Sequence, residues 1–181
     1  MRNLYRCKYN SPLGLIYLES DGTYLIGLWF DNSKDSSKHS DIFEEKNLEI
    51  FDEAKKWLDI YFKGEVPLFT PKYKVKETLF QKRVRNIMET IPYGEVISYG
   101  DIAKTIAEER NISRMSSQAV GNAVGANPIC IIIPCHRVVG KDGNLTGYGG
   151  GLDNKVKLLE IEGLDMSKFY LPKKRGQNEK M

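Results

Sequence analysis

The stretch Ile131-Ile132-Ile133-Pro134-Cys135-His136-Arg137-Val138-Val139 constrains this chain more than any other. Three consecutive isoleucines favour extended backbone and burial, and Pro134 fixes its own φ while holding Ile133 extended. The segment reads as a stiff, buried run with a thiol at its end. A buried cysteine is ordinarily a small hydrophobe. Here His136 and Arg137 adjoin it, both too polar to be buried without partners, and positive charge beside a thiol favours the nucleophilic thiolate. On residue chemistry alone, a reactive Cys135 and a packed one are equally supported. In an extended strand the side chain of His136 would point away from that of Cys135, so joint chemistry requires the backbone to bend here.

At 181 residues and 41% hydrophobic content the chain can bury one good core or two small ones. No apolar run approaches the roughly 18–20 residues of a membrane helix, and the start Met1-Arg2-Asn3 lacks a signal-peptide core. The expected location is the cytoplasm, nucleoid-associated in a prokaryote, with no membrane partner. Cys7, Cys130 and Cys135 form no CxxC spacing, which fits reduced thiols; with only His39 and His136 beside them, no metal site is expected. The net charge of +3 is mild, and part of it sits in Lys173-Lys174-Arg175, so charge alone does not point to nucleic acid.

Leu4–Tyr9, Leu13–Glu19 and Thr23–Phe30, broken by Asn10-Ser11-Pro12 and Asp21-Gly22, predict an antiparallel meander. The polar run from Asn32 to Asp41 predicts a mobile loop. Ile50, Phe51, Ala54, Trp57, Leu58, Tyr61 and Phe62 recur at helical steps, an aromatic stripe expected to be core, and Gly64 stops the helix. After a linker over Glu65–Tyr73, a helix is expected from about Glu77 to Thr90, with Leu79, Phe80, Val84, Ile87 and Met88 inward and Lys82, Arg83 and Arg85 on a solvated face. Ser98-Tyr99-Gly100-Asp101 reads as a capping box and Ser116-Ser117 as a second helix start. Two short helices in succession suggest a helix-turn-helix. The second holds Gly121, Ala123, Gly125 and Ala126, and glycine costs a helix about 1 kcal/mol relative to alanine. Tight packing against a neighbouring helix is the first expected reason. A last helix spans Asp153 to Gly163, through Val156, Leu158, Leu159 and Ile161, and the tail beyond Leu171 is expected to be disordered.

Pro-Cys-His-Arg-Val at 134–138, preceded by Asn127-Pro128 and followed by Gly147-Tyr148-Gly149-Gly150-Gly151-Leu152 and by Glu162-Gly163, resembles the active-site signature of the O6-methylguanine-DNA methyltransferases. The resemblance runs from about Gly94 to Gly163, and the N-terminal third carries little of it. It implies an α/β N-terminal domain over 1–73, a ribonuclease-H-like sheet with a helix. A mainly α C-terminal domain with a helix-turn-helix would follow over 74–170, then a tail over 171–181. It further implies irreversible transfer of the alkyl group of O6-alkylguanine, and possibly of O4-alkylthymine, from double-stranded DNA to Cys135. One event would spend one monomeric molecule, without cofactor or metal.

By the same resemblance His136 is the base, acting through a water, Glu162 orients it, and Asn127 braces the segment. Tyr99 helps turn the nucleotide out or donates to the purine, and Tyr148 walls the base pocket. Gln118 stands where many members carry an arginine that fills the gap left by the extruded base. Ala119 and Gly121 lie on the recognition helix, which enters the minor groove, and Arg137 and Gly149 are expected at the substrate. No second thiol is expected to be poised to relieve the product thioether, Cys130 lying five residues from Cys135 in the buried run. Two rival readings are a damage sensor like the alkyltransferase-like proteins, in which the cysteine is replaced, and a Cys-His hydrolase, for which no oxyanion motif is present.

Overall fold

The computed structural model describes residues 3–171. Strands β1 (Tyr5–Ser11), β2 (Gly14–Ser20) and β3 (Leu25–Phe30) form the antiparallel meander. A two-residue strand that sequence did not reveal, β4 (Glu44–Glu45), pairs parallel with β1 and sets the order β3-β2-β1-β4. Two glutamates carry no periodicity to read. Helix α1 (Glu49–Phe62) buries Ile50, Phe51, Ala54, Trp57, Leu58 and Tyr61, the expected stripe, in the core that it shares with the sheet.

The outer edge of β3 joins the two halves of the chain. Leu25 donates its N–H to the Lys72 carbonyl at 2.9 Å, and Lys74 donates back to Leu25 at 3.0 Å. Further along the same edge, Leu28 donates to Pro128 at 2.9 Å and Cys130 donates to Leu28 at 3.1 Å. The segment that leads to Cys135 is therefore a partner of the N-terminal sheet. One hydrophobic core runs on from Leu18, Leu28 and Phe51 to Val84, Ile106, Val120 and Ile133.

Helix α2 (Leu79–Met88) opens on a complete capping box between Thr78 and Gln81. It corrects two expectations. Leu79 is 86% exposed rather than core, because it precedes Val84 by five residues and so falls on the far side of a helix with about 3.6 residues per turn. Arg83 and Arg85 are partnered rather than merely solvated: Arg83 pairs with Glu109, and Arg85 with Glu77, Glu89 and the Tyr73 hydroxyl.

Helix α3 (Tyr99–Glu109) carries the expected Ser98–Asp101 capping box, and α4 (Ser117–Gly125) is capped by Ser116. A short parallel pair, β5 (Ile97–Ser98) with β6 (Val138–Val139), brings the start of α3 beside the strand that leaves Cys135. Helix α5 (Leu152–Ile161) closes the domain.

The packing account of the α4 glycines does not hold. A Cβ at Gly121 would meet only the Tyr99 ring, at 3.9 Å, and one at Gly125 would meet nothing within 4 Å. The polar run after β3 is also corrected, since Lys34–Lys38 forms a turn of 3-10 helix with Asp35 buried. The tail beyond residue 171 lies outside the described residues, within which no helix is long and apolar enough to cross a membrane.

Candidate active site

The required bend is present. Ile131 adopts a left-handed φ of 70°, which a β-branched residue enters only at a cost, and Cys135–Arg137 form a turn of 3-10 helix after Pro134. Asn127 holds this path. Its side-chain amide donates to the carbonyls of Ile129 at 3.2 Å and Ile133 at 3.0 Å, while its oxygen accepts from the N–H of Ile129 at 3.0 Å. Cys135, His136 and Arg137 are all buried.

Glu162 is the hub beneath them. Its Oε2 lies 2.5 Å from His136 Nε2 and accepts from the Tyr61 hydroxyl at 2.7 Å. Its Oε1 accepts from Arg137 Nε at 2.8 Å and from the N–H of Gly94 at 2.9 Å. The residue caps the C-terminal end of α5, where the helix dipole disfavours a carboxylate; four donors outweigh that. Burial opposes its ionisation, but the hydrogen bond and charge of His136 and the charge of Arg137 hold its carboxyl at about 2. Burial lowers the pKa of His136 against the pull of Glu162, so the imidazole is neutral at neutral pH. With Nε2–H given to Glu162, Nδ1 is left as an acceptor, and no group among the described residues pairs with it.

The Cys135 thiol is pulled below its ordinary value chiefly by a hydrogen bond from Cys130, and further by Asn127 and the charge of Lys155, against burial and the charge of Asp35. Lys155 is fully buried, its Nζ donating to the carbonyls of Val138 at 2.7 Å and Thr146 at 3.1 Å. Burial pushes its pKa down to about 8, with Cys135 resisting.

A cavity of about 830 Å³ opens between α3, α4, the 34–38 turn and the 146–149 loop, and Gln118, Gly121, Tyr99, Tyr148 and Gly149 line it. A recess of about 10 Å³ reaches Cys135 itself, between Asp35, Asn127, Gly147 and Tyr148. The Tyr148 hydroxyl is buried without a hydrogen-bond partner among the described residues. Tyr99 donates to the carbonyls of Thr146 at 3.3 Å and Gly147 at 3.4 Å, and burial pushes its phenol up to about 12. Gln118 is exposed in the first turn of α4, and the N–H of Ala119 is taken by the Ser116 cap.

The structure thus brings Cys135, His136, Asn127 and Glu162 together and sets Tyr99, Tyr148, Gly149, Gln118 and Gly121 around the opening. Arg137 departs from the expectation of a DNA contact: its guanidinium is committed to Glu162 and, at 2.8 Å, to the Ile91 carbonyl. Tyr61, Asp35, Cys130 and Lys155 belong to the site and were not anticipated. Only Lys155 had a usable signal, a lysine at helical spacing with the buried Leu158 and Leu159.

Fold and site together define a two-domain protein in which a helical domain presents a buried thiol at the foot of a cleft. The sequence model of the 6-O-methylguanine DNA methyltransferase ribonuclease-like domain matches residues 4–72, and that of the DNA-binding domain of the same proteins matches 79–164. A methylated-DNA–protein-cysteine methyltransferase of Methanosarcina acetivorans is 44% identical over 160 residues, covering 88% of this chain and 99% of that protein. One from Haemophilus influenzae is 37% identical over 163 residues, covering 90% and 88%. Among solved structures, Mycobacterium tuberculosis OGT in complex with DNA superposes with a TM-score of 0.74 at 37% identity, covering 91% of this chain and 94% of that one. The chain belongs to the O6-methylguanine-DNA methyltransferase family.

Proposed function

We propose that Cys135 is the residue that takes up the alkyl group when this protein repairs O6-alkylguanine in double-stranded DNA. The observation that carries the reading is a buried thiol, held toward its ionised form, at the foot of a cleft walled by Tyr99, Tyr148 and the open face of α4. The protein is a DNA-repair transferase, and its substrate is also its size standard: a base in a duplex reaches a buried sulfur only by being turned out of the stack, at a cost of a few kcal/mol.

In the reaction the Cys135 proton passes through a water to Nδ1 of neutral His136, whose Nε2–H stays on Glu162. The thiolate then attacks the alkyl carbon. A carbon–sulfur bond forms, the carbon–O6 bond breaks, and its electron pair goes to the purine, which gains a proton. Tyr99 and Tyr148 are phenols suited to donating to a ring atom that acquires charge. Asn127 keeps the bend that aims the sulfur. A thioether is a poor leaving group, and the neighbouring Cys130 has no route to remove the alkyl group from it, so each molecule acts once. The protein works as a monomer in the cytoplasm, with no membrane partner.

Incubation with a duplex oligonucleotide carrying one O6-methylguanine, followed by intact-protein mass spectrometry and peptide mapping, tests this. The expected result is one methyl group on Cys135, stopping at one equivalent and absent in Cys135→Ser. Tight binding with no change in mass would instead make the protein a sensor of damage. Gln118 supplies a second test. It reaches the cleft without charge, so Gln118→Arg is expected to tighten binding to the damaged duplex and speed repair, each by about tenfold, as one added phosphate or base contact would; unchanged affinity and rate would remove Gln118 from the interface.

A further inference from the structure

Helix α1, which packs on the N-terminal sheet, reaches into the catalytic cluster through one side chain. The Tyr61 hydroxyl donates to Glu162 Oε2 at 2.7 Å, the same oxygen that lies 2.5 Å from His136 Nε2, and Tyr61 Oη is itself 3.3 Å from that nitrogen. Tyr61 and His136 are fully buried and Glu162 nearly so, so water does not compete for these groups. The ring has little freedom to turn away. Trp57, one helical turn earlier, stacks on it with centroids 5.4 Å apart, while Phe62 and Tyr93 meet it edge-on at 5.4 and 5.9 Å.

A phenol has one proton, and here it goes to Oε2. Burial and the charge of Glu162 push the pKa of Tyr61 up, so the proton stays in place. A carboxylate oxygen stabilised by that donor is a weaker partner for an imidazolium, and the phenol therefore opposes a positive charge on His136. The lone pair of Tyr61 Oη meets Nε2–H as a second, longer acceptor, which keeps the ring proton on Nε2 and leaves Nδ1 free.

We propose that Tyr61 is a positioning residue for the alkyl transfer, through which the N-terminal domain fixes Glu162 and keeps His136 a neutral base with Nδ1 free. The inference rests on His136 serving Cys135 as its base. The other charged groups that act on this imidazole are Arg137 and Lys155, which also oppose a positive charge there. Arg137 bonds the opposite oxygen of Glu162, and Lys155 bonds the carbonyls of Val138 and Thr146. The nearby Tyr93 hydroxyl donates to the Ile161 carbonyl at 3.2 Å. Tyr61 is thus the side chain that shares Oε2 with His136.

The chain has two histidines, His39 and His136, so the ring nitrogens of the full chain labelled with nitrogen-15 histidine can be followed by NMR, with His39→Gln to assign them. Titrated without DNA, Tyr61→Phe is expected to raise the His136 midpoint by about one pH unit. The acid limb of single-turnover methyl transfer from the O6-methylguanine duplex should move up with it, a roughly tenfold slower rate on that limb with one equivalent still transferred per folded molecule. Fluorotyrosine placed at position 61 alone is a more acidic phenol and a stronger donor, and should move both midpoints down. Trp57→Phe disturbs the packing of the same ring but keeps its hydroxyl, and should leave them in place. An unchanged His136 midpoint in Tyr61→Phe, or an equal shift in Trp57→Phe, would overturn the proposal and make Tyr61 a packing residue. Should Tyr61→Phe fail to fold, the fluorinated protein decides alone: a midpoint that stays or rises overturns the proposal. If the imidazole midpoint shifts as described while methyl transfer is absent or does not follow it, the hold of Tyr61 on His136 stands, and the reading of His136 as the base for Cys135 fails.

Discussion

Glu162→Gln is expected to cost about 3–5 kcal/mol of stability at neutral pH, because it leaves the buried Arg137 guanidinium without its counter-charge. It should also slow methyl transfer by about 10²-fold or more, since His136 loses the group that fixes its tautomer. The pH dependence identifies the cause. The Glu162 carboxyl is held at about 2, below an ordinary value of 4.5, so its contribution is fully present above about pH 4.5 and is lost as the pH falls toward 2. Urea denaturation of wild type and variant should therefore differ most at pH 7 and converge through that acid window. A gap that stays constant down to pH 2 would mean that shape rather than charge is what the variant lost.

Lys155→Met separates activity from stability. With its pKa at about 8 against 10.5 for a free lysine, buried Lys155 binds its proton less tightly than in the unfolded chain. It therefore costs stability at neutral pH, and that cost disappears as the pH rises from about 8 to 10.5. Methionine removes the cost but strands the carbonyls of Val138 and Thr146, so the net change in stability at pH 7 should be small, within about 2 kcal/mol. The rise in stability between pH 8 and 10.5 should vanish. Transfer at pH 7 is expected to slow by about 10–100-fold, the effect of one neighbouring charge on a thiol, and to recover in alkali as Cys135 ionises unaided. A deficit that persists at high pH would assign Lys155 to holding the 146–149 loop instead.

What the sequence revealed and what it hid divide along chain distance. Cys135, His136 and Asn127 lie within ten residues of one another, and the bend they need could be inferred from the conflict between an extended strand and a shared chemistry. The capping box at Ser98 is equally local, and its helix starts where that cap places it; the box at Thr78 went unread, and its helix begins at Leu79 rather than about Glu77. Tyr61 was visible only as one more aromatic in an apolar stripe, since its partner Glu162 is 101 residues away. Asp35 sat in a polar run without periodicity, and nothing local shows that such a run will meet a thiol 95 residues on. The small residues of α4 were read as packing for want of a view of the surface they leave open.

The bridge from Leu28 to Ile129 and the bond from Tyr61 to Glu162 also fix when the thiol becomes reactive. During synthesis the sheet and α1 leave the ribosome well before α5, the helix that Glu162 follows. Until it docks, His136 has no orienting carboxylate, Lys155 is not yet beside Cys135, and the acceptor segment has only one side of its support. In a half-folded chain Cys135 is expected to react like an ordinary cysteine, without the neighbours that favour its thiolate. A protein that can react only once is in this way kept from reacting before its assembly is finished.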